Sequence, residues 1–263
     1  MNAAVRLVAS DLDGTLLGLD DVVSKRTRAA VRAVVEAGIH VVAATGRSQW
    51  TATPLVEPVD GLDLVVCSNG ASLYHLRERR SLASHPIADD VIDEILVRLA
   101  ASLPGCLYGW ETDDDLHYEA GFIAYRPNLD RAASPDLAAG DRPAPIRKLM
   151  VAHHQVQHYE LLDAVVPLMP PGCLATTSGA PFVEITGAGV DKAFGVREVC
   201  RRLGIAPEEV LAFGDNHNDI AMLRWAGRGI AMGNAHPALL AAVDEQTLSN
   251  VEDGVALVLE TLI

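Results

Sequence analysis

Short apolar runs, each as long as a buried strand, recur along the first part of the chain. They cover residues 5–10, 39–44 and 62–68. Between the first two runs, residues 24–37 predict a helix, because Ser24 is a suitable N-cap and Gly38 is a suitable stop. Polar residues follow each apolar run. This order of strand, helix and strand predicts an α/β fold with a doubly wound, Rossmann-like parallel sheet.

A different pattern occupies the middle of the chain. Hairpin-like and helix-like segments are mixed there, and a stretch rich in proline and alanine over residues 131–145 predicts a loop. The predicted elements are a hairpin over 72–87, helices over 88–102 and 158–169, a strand over 146–154 and two short strands within 173–186. The mixture indicates a second, α+β domain inserted at residues 84–186.

The first pattern resumes after the insertion. The predicted elements are helices over 191–204, 218–227 and 252–263, strands over 210–214, 229–232 and 248–250, and a further helix that begins at Pro237. Residues 1–83 and 187–263 are therefore expected to form one core domain.

The acidic composition narrows the possible partners. The 263 residues are 49% hydrophobic, enough for one large core or two smaller ones, and their formal net charge is −14. Such a surface repels nucleic acids and anionic membranes, so neither is expected as a partner. With no apolar stretch of membrane-spanning length and no signal peptide, the expected location is the cytoplasm. The four scattered cysteines are expected to be free thiols.

Polar side chains follow the predicted parallel strands, whose carboxyl ends meet at one edge of the sheet, where open α/β folds bind ligands. The residues expected at this edge are Asp11, Asp13, Thr45, Asn69 and the acidic cluster 215–219, with Lys192 close enough to join them. Carboxylates, a hydroxyl and an ammonium group suit Mg²⁺ and a phosphoryl group. One carboxylate can attack phosphorus, and a second can move the proton of the leaving oxygen.

Simpler interpretations exist for each residue alone. An Asp-Gly pair commonly marks only a turn, and Thr45 could be no more than a helix N-cap. Two acidic clusters and a lysine in one chain favour a phosphoryl site instead. Arg47 is expected to be a surface residue, and His217 a solvated loop residue.

Four segments carry a resemblance to a known family. DLDGT at residues 11–15, Thr45 within ATGR, Lys192, and GDNHND at residues 214–219 resemble, in order, the four motifs of the haloacid dehalogenase superfamily. SNGA at 68–71, AMGNA at 231–235 and the long insertion are similar to the Cof-like phosphatases, the IIB subfamily, with a C2-type (C2B) cap.

The resemblance implies a role for each matching residue. Asp11 is implied as the nucleophile, and Asp13 as the general acid/base. The implied metal ligands are Asp11, Asp13 (through its backbone carbonyl), Asp215 and Asp219, the last either as a ligand or as a group that orients the metal's waters. The implied phosphate- or substrate-binding residues are Thr45, Gly46, Lys192, Asn218 and Asn69.

The expected function is a Mg²⁺-dependent phosphatase that acts on a small phosphorylated metabolite, such as a sugar phosphate, through an aspartyl-phosphate intermediate. A phosphomutase or phosphotransferase could use the same core, although in related mutases the cap tends to follow the first motif directly. A non-catalytic phospho-accepting or sugar-phosphate-binding protein is a further alternative. The inserted domain is expected to supply specificity, and the chain to be a monomer or a small homo-oligomer.

Overall fold

The computed structural model describes residues 4–119, 121–125 and 145–263. The chain forms two compact units, a core unit of Met1–Ala83 with Asp191–Ile263, and an inserted unit of Ser84–Val190. The loop predicted over residues 131–145 lies, apart from Pro145, outside the described residues.

Both units contain strands and α-helices. The strands are β1 (Leu7–Ser10), β2 (His40–Ala44), β3 (Leu62–Cys67), β4 (Ser72–His75), β5 (Arg80–Ser84), β6 (Cys106–Glu111), β7 (Leu116–Tyr118), β8 (Lys148–His153), β9 (Leu174–Thr176), β10 (Val183–Thr186), β11 (Val210–Gly214), β12 (Arg228–Ala231) and β13 (Glu245–Gln246). The helices are α1 (Lys25–Glu36), α2 (Gln49–Val56), α3 (Asp89–Ser102), α4 (His158–Val165), α5 (Lys192–Leu203), α6 (Ile220–Trp225), α7 (Pro237–Leu240) and α8 (Gly254–Leu259).

The core unit is built on a sheet with the strand order β13-β12-β11-β1-β2-β3-β4-β5. The first six strands in this order run parallel, and β4 is antiparallel to β3. Because side chains alternate across a strand, Val8 packs into an apolar cluster on one face while Leu7 and Ala9 pack into another. Apolar layers on both faces account for the continuous apolar runs of β1 and β2.

The inserted unit has its own antiparallel sheet, with the order β7-β6-β8-β10-β9. Helix α3 contributes Ile92, Ile95 and Leu99, and α4 contributes Leu161 and Val165, to a cluster with the apolar side chains of this sheet. The sheet and its two helices therefore form a separate hydrophobic core. Together the two units confirm the predicted fold class of a mostly parallel α/β sheet with an inserted α+β domain.

Three details differ from the sequence prediction. Helix α2 was not predicted. The strand predicted over 248–250 is wrong, because the strand that pairs with β12 is β13, and residues 250–252 form a short 3₁₀ turn. The compact units divide after residue 190, whereas the pattern placed the division after residue 186. Residues 187–190 stay with the inserted unit because Gly189 N donates to Gly172 O (2.9 Å) and Thr186 Oγ1 donates to Val190 O (2.6 Å).

Among the described residues, we find no helix that combines the length and the apolar character needed to span a membrane.

Two leucines of the core unit allow a matched test of its packing. Leu7 in β1 is 0% exposed, and Leu19 in the loop before α1 is 91% exposed. We expect Leu7→Ala to lower the free energy of unfolding by about 2–5 kcal/mol through lost burial and a cavity, and Leu19→Ala to change it by less than about 0.5 kcal/mol. Chemical denaturation of both full-length variants measures the difference, and equal midpoints would contradict the placement of β1.

Candidate active site

The parallel pairing of β1 and β11 brings two distant acidic segments together. Asp11 follows β1 and Asp215 follows β11, and the backbone N–H of Asp11 donates to the carbonyl of Phe213 at 3.0 Å. Asp219 completes a cluster with them, in which ligand oxygens of the three carboxylates all lie within 4.8 Å of one another. Residues 204 positions apart in sequence thus come to face one point at the edge of the sheet.

The chain leaves β1 through a wide turn. The N–H groups of Leu16 and Leu17 donate to the carbonyls five residues earlier, those of Asp11 (3.2 Å) and Leu12 (2.9 Å). Gly14 lies inside this turn with φ 74°, and a Cβ atom at that position would overlap the carboxylate of Asp215. Gly14 therefore allows both the turn and the close approach of Asp215.

Lys192 lies at the start of α5 and enters the carboxylate cluster. Asp191 caps this helix by accepting a hydrogen bond from the N–H of Phe194 at 2.6 Å. The Nζ atom of Lys192 donates to Asp11 Oδ1 at 2.6 Å and to Asp219 Oδ1 at 2.7 Å, and only 1% of the residue is exposed. The N-terminal end of α5 thus delivers a buried positive charge to two of the three acids.

Burial and mutual repulsion shift the titration of the cluster. Burial first, and then the charge of Asp219, raise the pKa of Asp11 well above its ordinary value, although Lys192 opposes the change. The same two causes raise the pKa of Asp215 to about 7. Burial opposes the charged form of Lys192, but attraction to Asp11 and Asp219 outweighs it and raises the lysine's pKa. The cluster holds more negative charge than Lys192 neutralises, which suits a divalent cation.

Asp219 shapes the loop that carries Asp215. Its Oδ2 atom accepts hydrogen bonds from the backbone N–H groups of Asp215 (3.1 Å) and Asn216 (3.0 Å), while Oδ1 accepts from Lys192. Asp219 is fully buried. Its carboxylate therefore joins the loop to the helix that carries Lys192.

The predicted phosphate-binding residues Thr45, Asn69 and Asn218 are linked by hydrogen bonds. The N–H of Asn69 donates to the carbonyl of Thr45 at 3.0 Å, and Asn218 Nδ2 donates to Asn69 Oδ1 at 3.0 Å. Asn69 Nδ2 and Asn218 Oδ1 are buried with no hydrogen-bond partner among the described residues. Gly46 is also buried, directly after Thr45 at the end of β2. This side of the site therefore keeps unused hydrogen-bonding groups next to the polar end of the sheet.

Asp13 is directed to a partner that the sequence did not predict. Arg47 donates to it through Nε (2.8 Å to Oδ2) and Nη2 (2.5 Å to Oδ1). The hydrogen bond to Asp13 raises the pKa of Arg47, so the guanidinium stays charged. Among the described residues, the side chain of Asp13 does not join the carboxylate cluster. The expectation that Arg47 is only a surface residue is wrong. The sequence held one signal for the role of Arg47, which lies two residues after Thr45 in the loop that follows β2.

His217 also differs from its prediction as a solvated loop residue. It is half-buried and packs against His236, with 4.2 Å between the ring centroids. His236 is the N-cap of α7, and its backbone N–H donates to the carbonyl of Asp215 at 2.8 Å.

Comparisons with known proteins identify the family of this chain. A family model described as haloacid dehalogenase-like hydrolase matches residues 8–259. The Bacillus subtilis protein YitU, named as a 5-amino-6-(5-phospho-D-ribitylamino)uracil phosphatase, is 30% identical over 263 residues, which cover 95% of this chain and 94% of YitU. YcsE of the same organism, named for the same activity, is 28% identical over 260 residues, covering 96% of this chain and 93% of YcsE.

A solved structure supports the fold independently. The structure of a haloacid dehalogenase-like hydrolase from B. subtilis is 26% identical, with a TM-score of 0.81, and the similarity covers 98% of this chain and 100% of that one.

Alanine substitutions at two glycines distinguish the effect of backbone strain from the effect of a displaced carboxylate. Gly14 and Gly38 both have positive φ (74° and 88°), but a Cβ at Gly38 would meet nothing within 4 Å. We expect each change to alanine to cost about 1–2 kcal/mol of stability. Only Gly14→Ala should also displace the Asp215 carboxylate and weaken divalent-cation binding, by about 10-fold or more. Calorimetric titration of Mg²⁺ into both variants measures this, and equal affinities would contradict the arrangement.

Proposed function

Because this chain belongs to the haloacid dehalogenase-like hydrolase family and is a phosphoric monoester hydrolase, we propose that it hydrolyses a small phosphorylated metabolite with Mg²⁺ and through an aspartyl phosphate on Asp11. The assignment made from the four motifs is confirmed at the level of the family. The observation that most supports the specific reaction is the convergence of Asp11, Asp215 and Lys192 at one edge of the sheet.

In the proposed first step, a carboxylate oxygen of Asp11 attacks phosphorus, and the bond from phosphorus to the leaving oxygen breaks. Asp13 donates a proton to that oxygen, so the alcohol leaves in neutral form. In the second step, the oxygen of a water molecule attacks the phosphorus of the aspartyl phosphate, and Asp13 accepts a proton from that water. Inorganic phosphate is released and Asp11 is regenerated as a carboxylate.

Asp11 and Asp215 would hold Mg²⁺, together with the backbone carbonyl of Asp13. Bound there, Mg²⁺ would supply positive charge for the phosphoryl oxygens. Both carboxylate oxygens of Asp219 already accept hydrogen bonds from protein groups. We therefore assign Asp219 to positioning Lys192 and the loop of Asp215, and to orienting the waters of the metal.

The ammonium group of Lys192 would bind an oxygen of the transferring phosphoryl group while keeping Asp11 in place. Thr45, Gly46, Asn218 and Asn69 would bind its remaining oxygens. The buried amide Nδ2 of Asn69 supports this assignment, because it is a hydrogen-bond donor with no partner among the described residues. Arg47 would hold the carboxylate of Asp13 in one orientation before the substrate binds.

The substrate class is proposed to be a small phosphate monoester, such as a sugar or polyol phosphate. YitU and YcsE are named for a substrate that carries a phosphorylated ribityl chain, so this type of polyol phosphate belongs in the first trial. A mutase is less well supported, because the turn after Asp11 leads through a short loop into α1 and the inserted unit begins only at Ser84.

Release of inorganic phosphate from a panel of phosphate monoesters tests the reaction. We expect Mg²⁺-dependent turnover of at least one sugar or polyol phosphate by the wild type, and a loss of about 1,000-fold or more in kcat for Asp11→Asn. Asp20→Asn in the exposed loop that follows is the matched control, and should keep its activity. Substantial turnover by Asp11→Asn would contradict the assignment of the nucleophile, and an isomerised ester without free phosphate would indicate a mutase.

Thermal unfolding tests the metal site without relying on activity. Because the pKa of Asp215 is raised to about 7, its ionisation destabilises the metal-free fold as the pH rises towards that value. Asn is neutral at every pH, so the metal-free Asp215→Asn variant should have a higher Tm than the metal-free wild type at pH 8. Mg²⁺ at 100 times its Kd should stabilise the wild type by about 2.7 kcal/mol. Asp215→Asn should lose most of this gain. A gain of equal size in wild type and variant, measured by calorimetry, would argue against a site at Asp215.

A further inference from the structure

We propose that Asn234 and Asn250, which we call the asparagine clamp, are positioning residues that hold the turn carrying Asp11 and Asp13 in its active conformation. The inference rests on the proposed function, because it concerns the geometry of the same nucleophile. Neither asparagine belongs to the site residues described above, although Asn234 lies in the AMGNA segment of the sequence.

The clamp bonds two carbonyl groups of the turn. Asn234 Nδ2 donates to the carbonyl of Gly14 at 2.8 Å, and Asn250 Nδ2 donates to the carbonyl of Leu17 at 2.7 Å. The two asparagines are also bonded to each other, since the backbone N–H of Asn250 donates to Asn234 Oδ1 at 3.0 Å. One connected set of three hydrogen bonds therefore spans the turn from Gly14 to Leu17.

These contacts fix the orientation of the Asn234 amide. Its oxygen faces a backbone N–H and its nitrogen faces a backbone carbonyl, so a flipped amide would lose both hydrogen bonds. The loop after β12 is also bonded to the segment that leads into the 3₁₀ turn of Asn250, because Gly233 N donates to Leu248 O at 3.1 Å. The clamp is thus anchored in the core unit and is not a chance contact of a free side chain.

Asn234 bonds the turn where its backbone is irregular. Asp13 and Gly14 have non-helical backbone angles (ψ 123° at Asp13 and φ 74° at Gly14), and the carbonyl of Gly14 is bonded by Asn234. Gly14 separates Asp13, the proposed acid/base, from Thr15, whose hydroxyl donates to Asp215 Oδ1 at 3.2 Å. Rotation of the Gly14–Thr15 peptide would therefore disturb Asp13 and Asp215 at once. The clamp blocks that rotation.

Three variants test the clamp in the full-length protein. Asn234→Ala removes two of the three hydrogen bonds, and Asn250→Ala removes only the bond to Leu17. Asn234→Asp keeps the size and the acceptor for Asn250 but places an oxygen against the carbonyl of Gly14. Arg224→Ala is the control, because Arg224 Nε also donates to a backbone carbonyl of the core unit (Ala242, 3.2 Å) away from the turn.

We expect Asn234→Ala and Asn234→Asp to lower kcat by about 10- to 100-fold while KM changes less than about twofold, since small misplacements of reacting groups cost rate more than ground-state binding. Hydrogen exchange should become faster at the amides of Leu16 and Leu17, and the Tm should fall no more than in Arg224→Ala. Asn250→Ala should show the same changes at smaller size.

Unchanged kcat and exchange in both Asn234 variants would overturn the clamp. So would an increase of activity in Asn234→Asp, because that result would mean that local charge matters and the orientation of the Gly14 carbonyl does not. If the wild type released no phosphate from any monoester, the proposed function would fail, and the exchange of Leu16 and Leu17 would still decide whether the clamp holds the turn.

Discussion

Crowded negative charge is the constraint on which the rest of the site depends. Carboxylate oxygens of Asp11, Asp215 and Asp219 lie within 4.8 Å of one another, and the buried ammonium of Lys192 bonds two of these residues. Burial, and then the remaining repulsion, keep the pKa values of Asp11 and Asp215 above their ordinary range. We propose that a divalent cation and a phosphoryl group offset this unfavourable charge when they bind together. In that proposal, the same imbalance of charge links the stability of the metal-free fold to its chemistry.

The backbone around the cluster is arranged to maintain this crowding. Parallel pairing of β1 and β11 sets the distance between Asp11 and Asp215, and Gly14 lets the turn pass directly beside the Asp215 carboxylate. Asp219 accepts a hydrogen bond from the backbone of its own loop, and the asparagine clamp bonds the turn at the carbonyl of Gly14.

The place of the site was predictable from the sequence, because the short apolar runs predict parallel strands whose carboxyl ends meet at one edge of the sheet. The role of each residue was implied only by the resemblance to a known family. The pairing of Arg47 with Asp13 could not be predicted, since it depends on the conformation of two side chains 34 positions apart. Helix α2 contains Pro54 and has no clear amphipathic pattern, and β13 has only two residues, so neither leaves a periodic signal. The end of the inserted unit depends on two hydrogen bonds that follow its last strand, which the hydrophobic pattern does not encode.

The most direct test of the central claim is a crystal structure with Mn²⁺ in place of Mg²⁺, in which anomalous scattering locates the metal. We expect a peak about 2.1 Å from a carboxylate oxygen of Asp11 and from one of Asp215, with the ammonium of Lys192 still bonded to Asp11. A crystal in which Mn²⁺ is bound elsewhere, or in which the two aspartates do not share it, would show that they do not form one metal site.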